Sequence, residues 1–231
     1  MVVLITSYQR LDYLKQTVAS LRQDEIELCI IDGGSDEKTC RWISQNADTS
    51  IFASGNPGAD ALKNLGMRHY PNEKVCMLSS DDLVYPIGYA KKLLDQYEQI
   101  NFGVGRYPIW TFMAGAIHNP GHPYLHETHG AQFTSVNGIP VLPVSHGQVA
   151  GAILDVSVWK ALGGFPELGI SGQGDHAFSN MLWRAGYMVG YFAEPVVEHI
   201  GIHRRQDYPD YSRRFEEDQA YWNPIALKYG L

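Results

Sequence analysis

Apolar residues follow two rhythms over the first hundred positions. Short unbroken runs, "VVLIT" (2–6), "IELCIID" (26–32), "SIFA" (50–53) and "KVCML" (74–78), read as strands. Between them Leu11, Leu14, Val18 and Leu21 recur at helical spacing, as do Leu93, Leu94, Tyr97 and Ile100; further helices are expected near 37–45 and 59–69. Strands alternating with helices imply parallel pairing in a doubly wound sheet with helices on both faces. Ligands of such sheets bind beyond the carboxyl ends of the strands. The polar residues that follow each strand therefore carry the interest: Thr6 and Tyr8, Asp32, and the group Ser79 to Asp82.

The second half is less regular. Residues 103–147 are rich in Gly, Pro, His and aromatics, with strands expected at 109–112 and 141–145. "VAGAIL" (149–154) reads as strand-like or buried, and 156–162 as a short helix closed by Gly163 and Gly164. A helix over 175–185 ends at Gly186, a residue suited to the left-handed C-terminal position. Short strands at 188–192 and 195–199 follow, then a helical appendage over 204–231 with Arg204, Arg205, Arg213 and Arg214. The simplest division is one domain over 1–203, with a nucleotide-type half (1–100) and a second half (101–203) for acceptor and catalysis.

Composition narrows the class. The balance of 45% hydrophobic and 19% charged residues is that of an ordinary globular chain, and a net charge of -7 argues against a general nucleic-acid binder. Cys29, Cys40 and Cys76 cannot all pair within the chain and lack metal-ligand spacing, which reads as buried thiols in a reducing compartment. No apolar run approaches the roughly 20 residues that span a bilayer. "VVLIT" follows Met1 at once and leaves no room for a signal peptide, so the expected location is the cytoplasm.

Locally, each motif has two readings. Asp81 and Asp82 repel one another at the ligand-binding edge; either a hard cation such as Mg²⁺ or Mn²⁺ joins them, or one caps the next helix. Asp32 opens "DGGSD" and either accepts a hydrogen bond from a base or ribose or merely forms the turn, and no G-x-G-x-x-G follows the first strand. Asp175 stands between a Gly-rich segment and an apolar-periodic helix, as a general base or as a cap. His199 and His203 close "VVEHIGIH" as ligands or as structural residues. His118, His122, His126 and His129 hint at zinc, but they do not form H-E-x-x-H and Gly and Pro interrupt them. The arginine pairs of the tail hold a phosphate or an anionic lipid headgroup, as a peripheral membrane contact, or form a solvated face.

Taken in order, "VVLITSYQRLDYLKQTVASL", "IIDGGSDE", "KNLG" (63–66), "MLSSDDLVYP", "LGGFPE" and "GQGDHAFSNMLWRAGY" resemble the motif series of family 2 glycosyltransferases over residues 1–203. The resemblance implies the GT-A fold, a Rossmann-like, mixed but mostly parallel sheet flanked by helices. It places Thr6 and Tyr8 in the nucleotide site, Asp32 on the base, and Asn64, with Arg68 nearby, beside the diphosphate and sugar. Ser80 and Asp81 join the same binding set. It implies Mn²⁺ or Mg²⁺ on Asp81 and His199, and makes Asp175 the catalytic base of an inverting enzyme. The chain departs from the family pattern at three places. Ser79 replaces the first acid before Ser80, Gly174 replaces the acid that precedes the base, and Gly33 stands where a second Asp is common.

The implied reaction takes a sugar from a nucleoside diphosphate donor, UDP being the carrier that suits Asp32. The metal steadies the leaving diphosphate while Asp175 takes the proton of an acceptor hydroxyl on a carbohydrate or glycoconjugate, as in polysaccharide biosynthesis. Two other readings stay open. One is a sugar nucleotidyltransferase, which wants a basic, Gly-rich loop where this chain has "TSYQRLDY". The other is an inactive module that binds sugar nucleotide or glycan. Trp110 and Tyr124, in the aromatic segment 103–133, are expected to shape the acceptor site.

Overall fold

The computed structural model describes residues 1–103, 109–118, 132–145, 147–148, 151–167 and 174–201. The first half alternates as the apolar rhythm predicts: β1 (Val2–Ser7), α1 (Leu11–Leu21), β2 (Glu27–Asp32), α2 (Glu37–Asn46), β3 (Thr49–Phe52), α3 (Ala59–His69), β4 (Val75–Ser80) and α4 (Tyr89–Ile100). A two-residue strand, β5 (Leu83–Val84), comes between β4 and α4. The second half adds β6 (Trp110–His118), β7 (Thr134–Val136), β8 (Ile139–Pro143), β9 (Ala152–Asp155), α5 (Val156–Ala161), α6 (Gly174–Arg184) and β10 (Met188–His199).

All ten described strands form one sheet in the order β3-β2-β1-β4-β9-β6-β10-β8-β7, with β5 paired to β10. Strands β3, β2, β1 and β4 are parallel neighbours, as are β6 and β10, while β9, β8 and β5 run against them. Every residue of β1 is buried, as expected of a central strand covered on both faces. Cys29 and Cys76 lie in this core, where burial pushes both thiols up to about 12.

Several expectations change. The segments 188–192 and 195–199 form one strand whose register against β6 shifts between Tyr191 and Val196; Pro195 has no N–H to give to the ladder. The β7–β8 hairpin turns on Asn137 and Gly138, both at positive φ, an Asn-Gly signal that the sequence reading passed over. Within the expected 149–154 run, β9 begins at Ala152, and residues 149–150 lie outside the described residues. So do the tail from 204, His203, Tyr124 and the histidines at 122, 126 and 129. Gly186 has the left-handed conformation expected of it.

Candidate functional site

Strand register brings the candidate residues of the first half to one edge. Ser7 stands opposite Asp32, and Thr6 opposite Ser80. Thr6 is buried and turns its hydroxyl toward the Ser79 carbonyl at 3.4 Å. Past Ser7 the chain makes a tight corner in which Gln9 holds a positive φ of 55°, unusual for a residue with a Cβ. The Gln9 N–H donates to Ser35 Oγ at 2.7 Å and fastens this corner to the turn after β2.

That corner delivers Arg10 to the acid pair. Arg10 Nη1 lies 2.8 Å from Asp82 Oδ2 and 3.3 Å from Asp81 Oδ1. Side-chain exposures are 6% for Arg10, 6% for Asp81 and 0% for Asp82, so the contacts form away from bulk water. Asp81 Oδ2 also accepts from Ser7 Oγ at 3.0 Å and faces the Tyr8 N–H at 3.4 Å. Asp82 Oδ1 accepts from Ser80 Oγ, and His199 Nε2 stands 3.1 Å from Asp82 Oδ2. Behind them Gly201 leaves the room this needs: a Cβ there would come within 2.1 Å of Arg10 Nη2 and 2.4 Å of Asp82 Oδ2. Among the described residues neither acid caps a helix. They lead into β5, and the first turn of α4 is held instead by Asp24, which accepts from the Gly88 and Ala90 N–H groups.

This arrangement bears on the implied metal. Asp81, Asp82 and His199 are close neighbours, yet the guanidinium of Arg10 supplies the positive charge between the acids, and the His199 ring faces Asp82 rather than Asp81. Among the described residues no three His, Cys, Asp or Glu side chains are grouped to hold an ion. The donors, as arranged, do not fit a divalent cation while Arg10 stays in place. Sequence reasoning missed Arg10 and Ser7; the signal was one basic residue after the first strand, in "TSYQRLDY".

Asp32 is fully buried and engaged by its own turn. Oδ2 accepts from the Gly34 and Ser35 N–H groups at 2.9 and 2.7 Å, and Oδ1 from Ser35 Oγ at 2.6 Å. Asn64 is likewise committed. Its amide donates to the Phe165 carbonyl and Glu167 Oε1, and accepts from Trp159 Nε1 and the Phe165 N–H. It pins "LGGFPE" to α3. Arg68 is exposed in the last turn of α3, a helix that crosses back from β3 toward the start of β4; this end lies away from the edge where the others meet.

A second charged group gathers where α3 meets α6. Lys63 Nζ donates to Asp60 Oδ1 at 2.9 Å, with exposures of 5% and 1%, and lies 5.4 Å from the centre of the Phe165 ring. Asp175, second residue of α6, accepts from the His176 N–H at 2.9 Å. Burial raises its pKa above the ordinary carboxylate value; Lys63 and His176 oppose the shift and the negative charge of Asp60 adds to it. A carboxyl so placed holds a proton more tightly than a surface acid, the property of a general base working toward neutral pH. Among the described residues no helix is long and apolar enough to cross a membrane.

Comparison with known proteins gives the fold and the family. Similar solved structures include TarS of S. aureus (TM-score 0.64, 10% identity, 86% of this chain and 36% of that one). GalNAc-T7, crystallised with UDP, GalNAc and Mn²⁺, gives 0.66, 13%, 86% and 43%. TarS 1–349 in complex with UDP-GlcNAc gives 0.62, 11%, 85% and 57%. The chain thus spans roughly a third to three-fifths of these structures, and at such identity they establish the shared GT-A fold alone. No curated protein sequence matches. The sequence profile described as "Glycosyl transferase family 2" matches residues 2–118, half of the chain, which therefore belongs to the family 2 glycosyltransferases.

Proposed function

We propose that the protein is an inverting glycosyltransferase that moves a sugar from a UDP-linked donor to a hydroxyl of a carbohydrate or glycoconjugate acceptor, with Asp175 as the base. One observation carries the reading: Asp175 is a half-buried carboxyl of raised proton affinity at the start of α6, in a chain of this family. Asp175 takes the acceptor proton as the hydroxyl oxygen attacks the anomeric carbon and the bond to the diphosphate breaks on the opposite face; one displacement inverts that carbon. Thr6, Tyr8, Asp32 and Ser80 form the nucleotide end of the site, and the UDP and UDP-GlcNAc named for the neighbours support UDP as the carrier. Asn64 supports that site by holding the 163–167 segment in place.

The same reading assigns Mn²⁺ or Mg²⁺ to Asp81 and His199, and GalNAc-T7 is named with Mn²⁺. For this chain that assignment conflicts with the position of Arg10, and the mechanism above uses no ion. The test is UDP release from UDP-GlcNAc and UDP-GalNAc by wild type and Asp175→Asn, with UDP affinity measured alongside. Turnover should fall at least a hundredfold, as for loss of a general base, while UDP still binds. A wild type that binds UDP without turnover would favour the other reading, a sugar-nucleotide-binding module. The buried Arg10 between Asp81 and Asp82 is the observation on its side.

A further inference from the structure

Gly174 stands where the resemblance leads one to expect an acid, and the structure shows what fills that space. A Cβ built on Gly174 would lie 2.0 Å from Asp60 Oδ2, 2.2 Å from its Cγ and 2.6 Å from Oδ1. The carboxylate of Asp60 therefore occupies the volume that any side chain at 174 would enter. Asp60 is 1% exposed; one oxygen is held by Lys63, and the other, Oδ2, has no hydrogen-bond partner among the described residues and is aimed at the first residue of α6. A buried carboxylate oxygen without a donor is costly and wants a stated reason.

We propose that Asp60 is a positioning residue for the base: delivered from α3, its carboxylate replaces the acid absent at 174 and, together with Lys63, fixes the charge and placement of Asp175. This rests on the transferase reading above. With Asp60 where it stands, a side chain at 174 overlaps its carboxylate, so an acid on α6 would require Asp60 to move away from Lys63. Among the described residues, the charged and titratable groups facing Asp175 are Asp60 and Lys63 from α3, His176 from its own helix and Tyr191 from β10. The negative charge of Asp60 raises the proton affinity of Asp175 while Lys63 restrains it. Removing that negative charge lowers the Asp175 pKa directly, and it also leaves Lys63 to favour the Asp175 carboxylate; both effects have the same sign.

Asp60→Asn keeps the shape and removes the charge. In the full chain, the Asp175 carboxyl, assigned against Asp175→Asn, should titrate at lower pH by carbon-13 NMR. The acid limb of UDP release from UDP-GlcNAc should move the same way, with kcat down about ten- to a hundredfold and KM for the donor nearly unchanged. Asp60→Ser combined with Gly174→Glu restores an acid from α6 and should recover most of the rate, whereas Gly174→Glu alone should lose both fold and activity. An Asp175 titration and acid limb that stay in place in Asp60→Asn would overturn the proposal. Should Asp60→Asn not fold, a double variant that folds but recovers no rate overturns it instead. A wild type that turns over no sugar nucleotide, with the Asp175 titration still displaced in Asp60→Asn, would remove the transferase reading and leave the link between Asp60 and Asp175 standing.

Discussion

Replacing Arg10 by Met keeps the length and apolar stem of the side chain and removes its charge. The guanidinium sits between two carboxylates whose side chains are 6% and 0% exposed, so the variant removes the positive charge that lies between two like charges held out of water. Breaking a buried pair in this way costs about 3–5 kcal/mol, most of it the penalty of the charge left behind. For a domain of this size each kcal/mol moves Tm by roughly 2–4 °C, so a fall of about 10 °C is expected by circular dichroism at pH 7. Added salt should change the loss little, because a buried pair is poorly screened. Arg22→Met is the control: its partner Asp48 lies 2.8 Å away, but exposures of 37% and 43% put that pair on the surface, where the cost is about 1 kcal/mol or less. Mn²⁺ completes the test. If Arg10 is what keeps the acids closed, millimolar Mn²⁺ should raise the Tm of Arg10→Met by more than that of wild type. A fall of under about 2 °C, or an equal Mn²⁺ gain in both proteins, would refute the reasoning.

Two further outcomes follow from single side chains. Asn64→Ala leaves the Trp159 N–H and both backbone groups of Phe165 without their partner, so stability should drop by about 2–4 kcal/mol in urea unfolding and proteolysis near 163–167 should quicken. Asp175→Asn should be more stable than wild type at pH 7 by thermal unfolding. The folded pKa of Asp175 is raised, so its ionisation penalises the fold only as pH rises past the ordinary carboxylate range, and the advantage should vanish when pH is taken below that range.

The central sheet was legible because burial on both faces writes itself into the sequence as unbroken apolar runs; β1, β2 and β4 came out within a residue or two. β5 and β7 did not, since strands of two and three residues carry no periodicity. In the site, the edge carrying Thr6, Asp32, Ser80 and Asp81 followed from the rule that polar residues after parallel strands converge. What local sequence hides is which distant residue balances each charge. The acid pair at 81 and 82 raised the question of a positive partner, and the partner is Arg10, 71 and 72 positions earlier. Gly174 read as a loss, yet Asp60 comes from 114 positions earlier to fill the place. In both cases the residue that completes the group lies one helix or strand away in space and in another motif of the chain. A departure from a family pattern is therefore informative only once the volume around it is known: at Gly174 the missing side chain and the carboxylate of Asp60 are two halves of one exchange, and neither can be changed alone without either an overlap or a buried lysine without its acid.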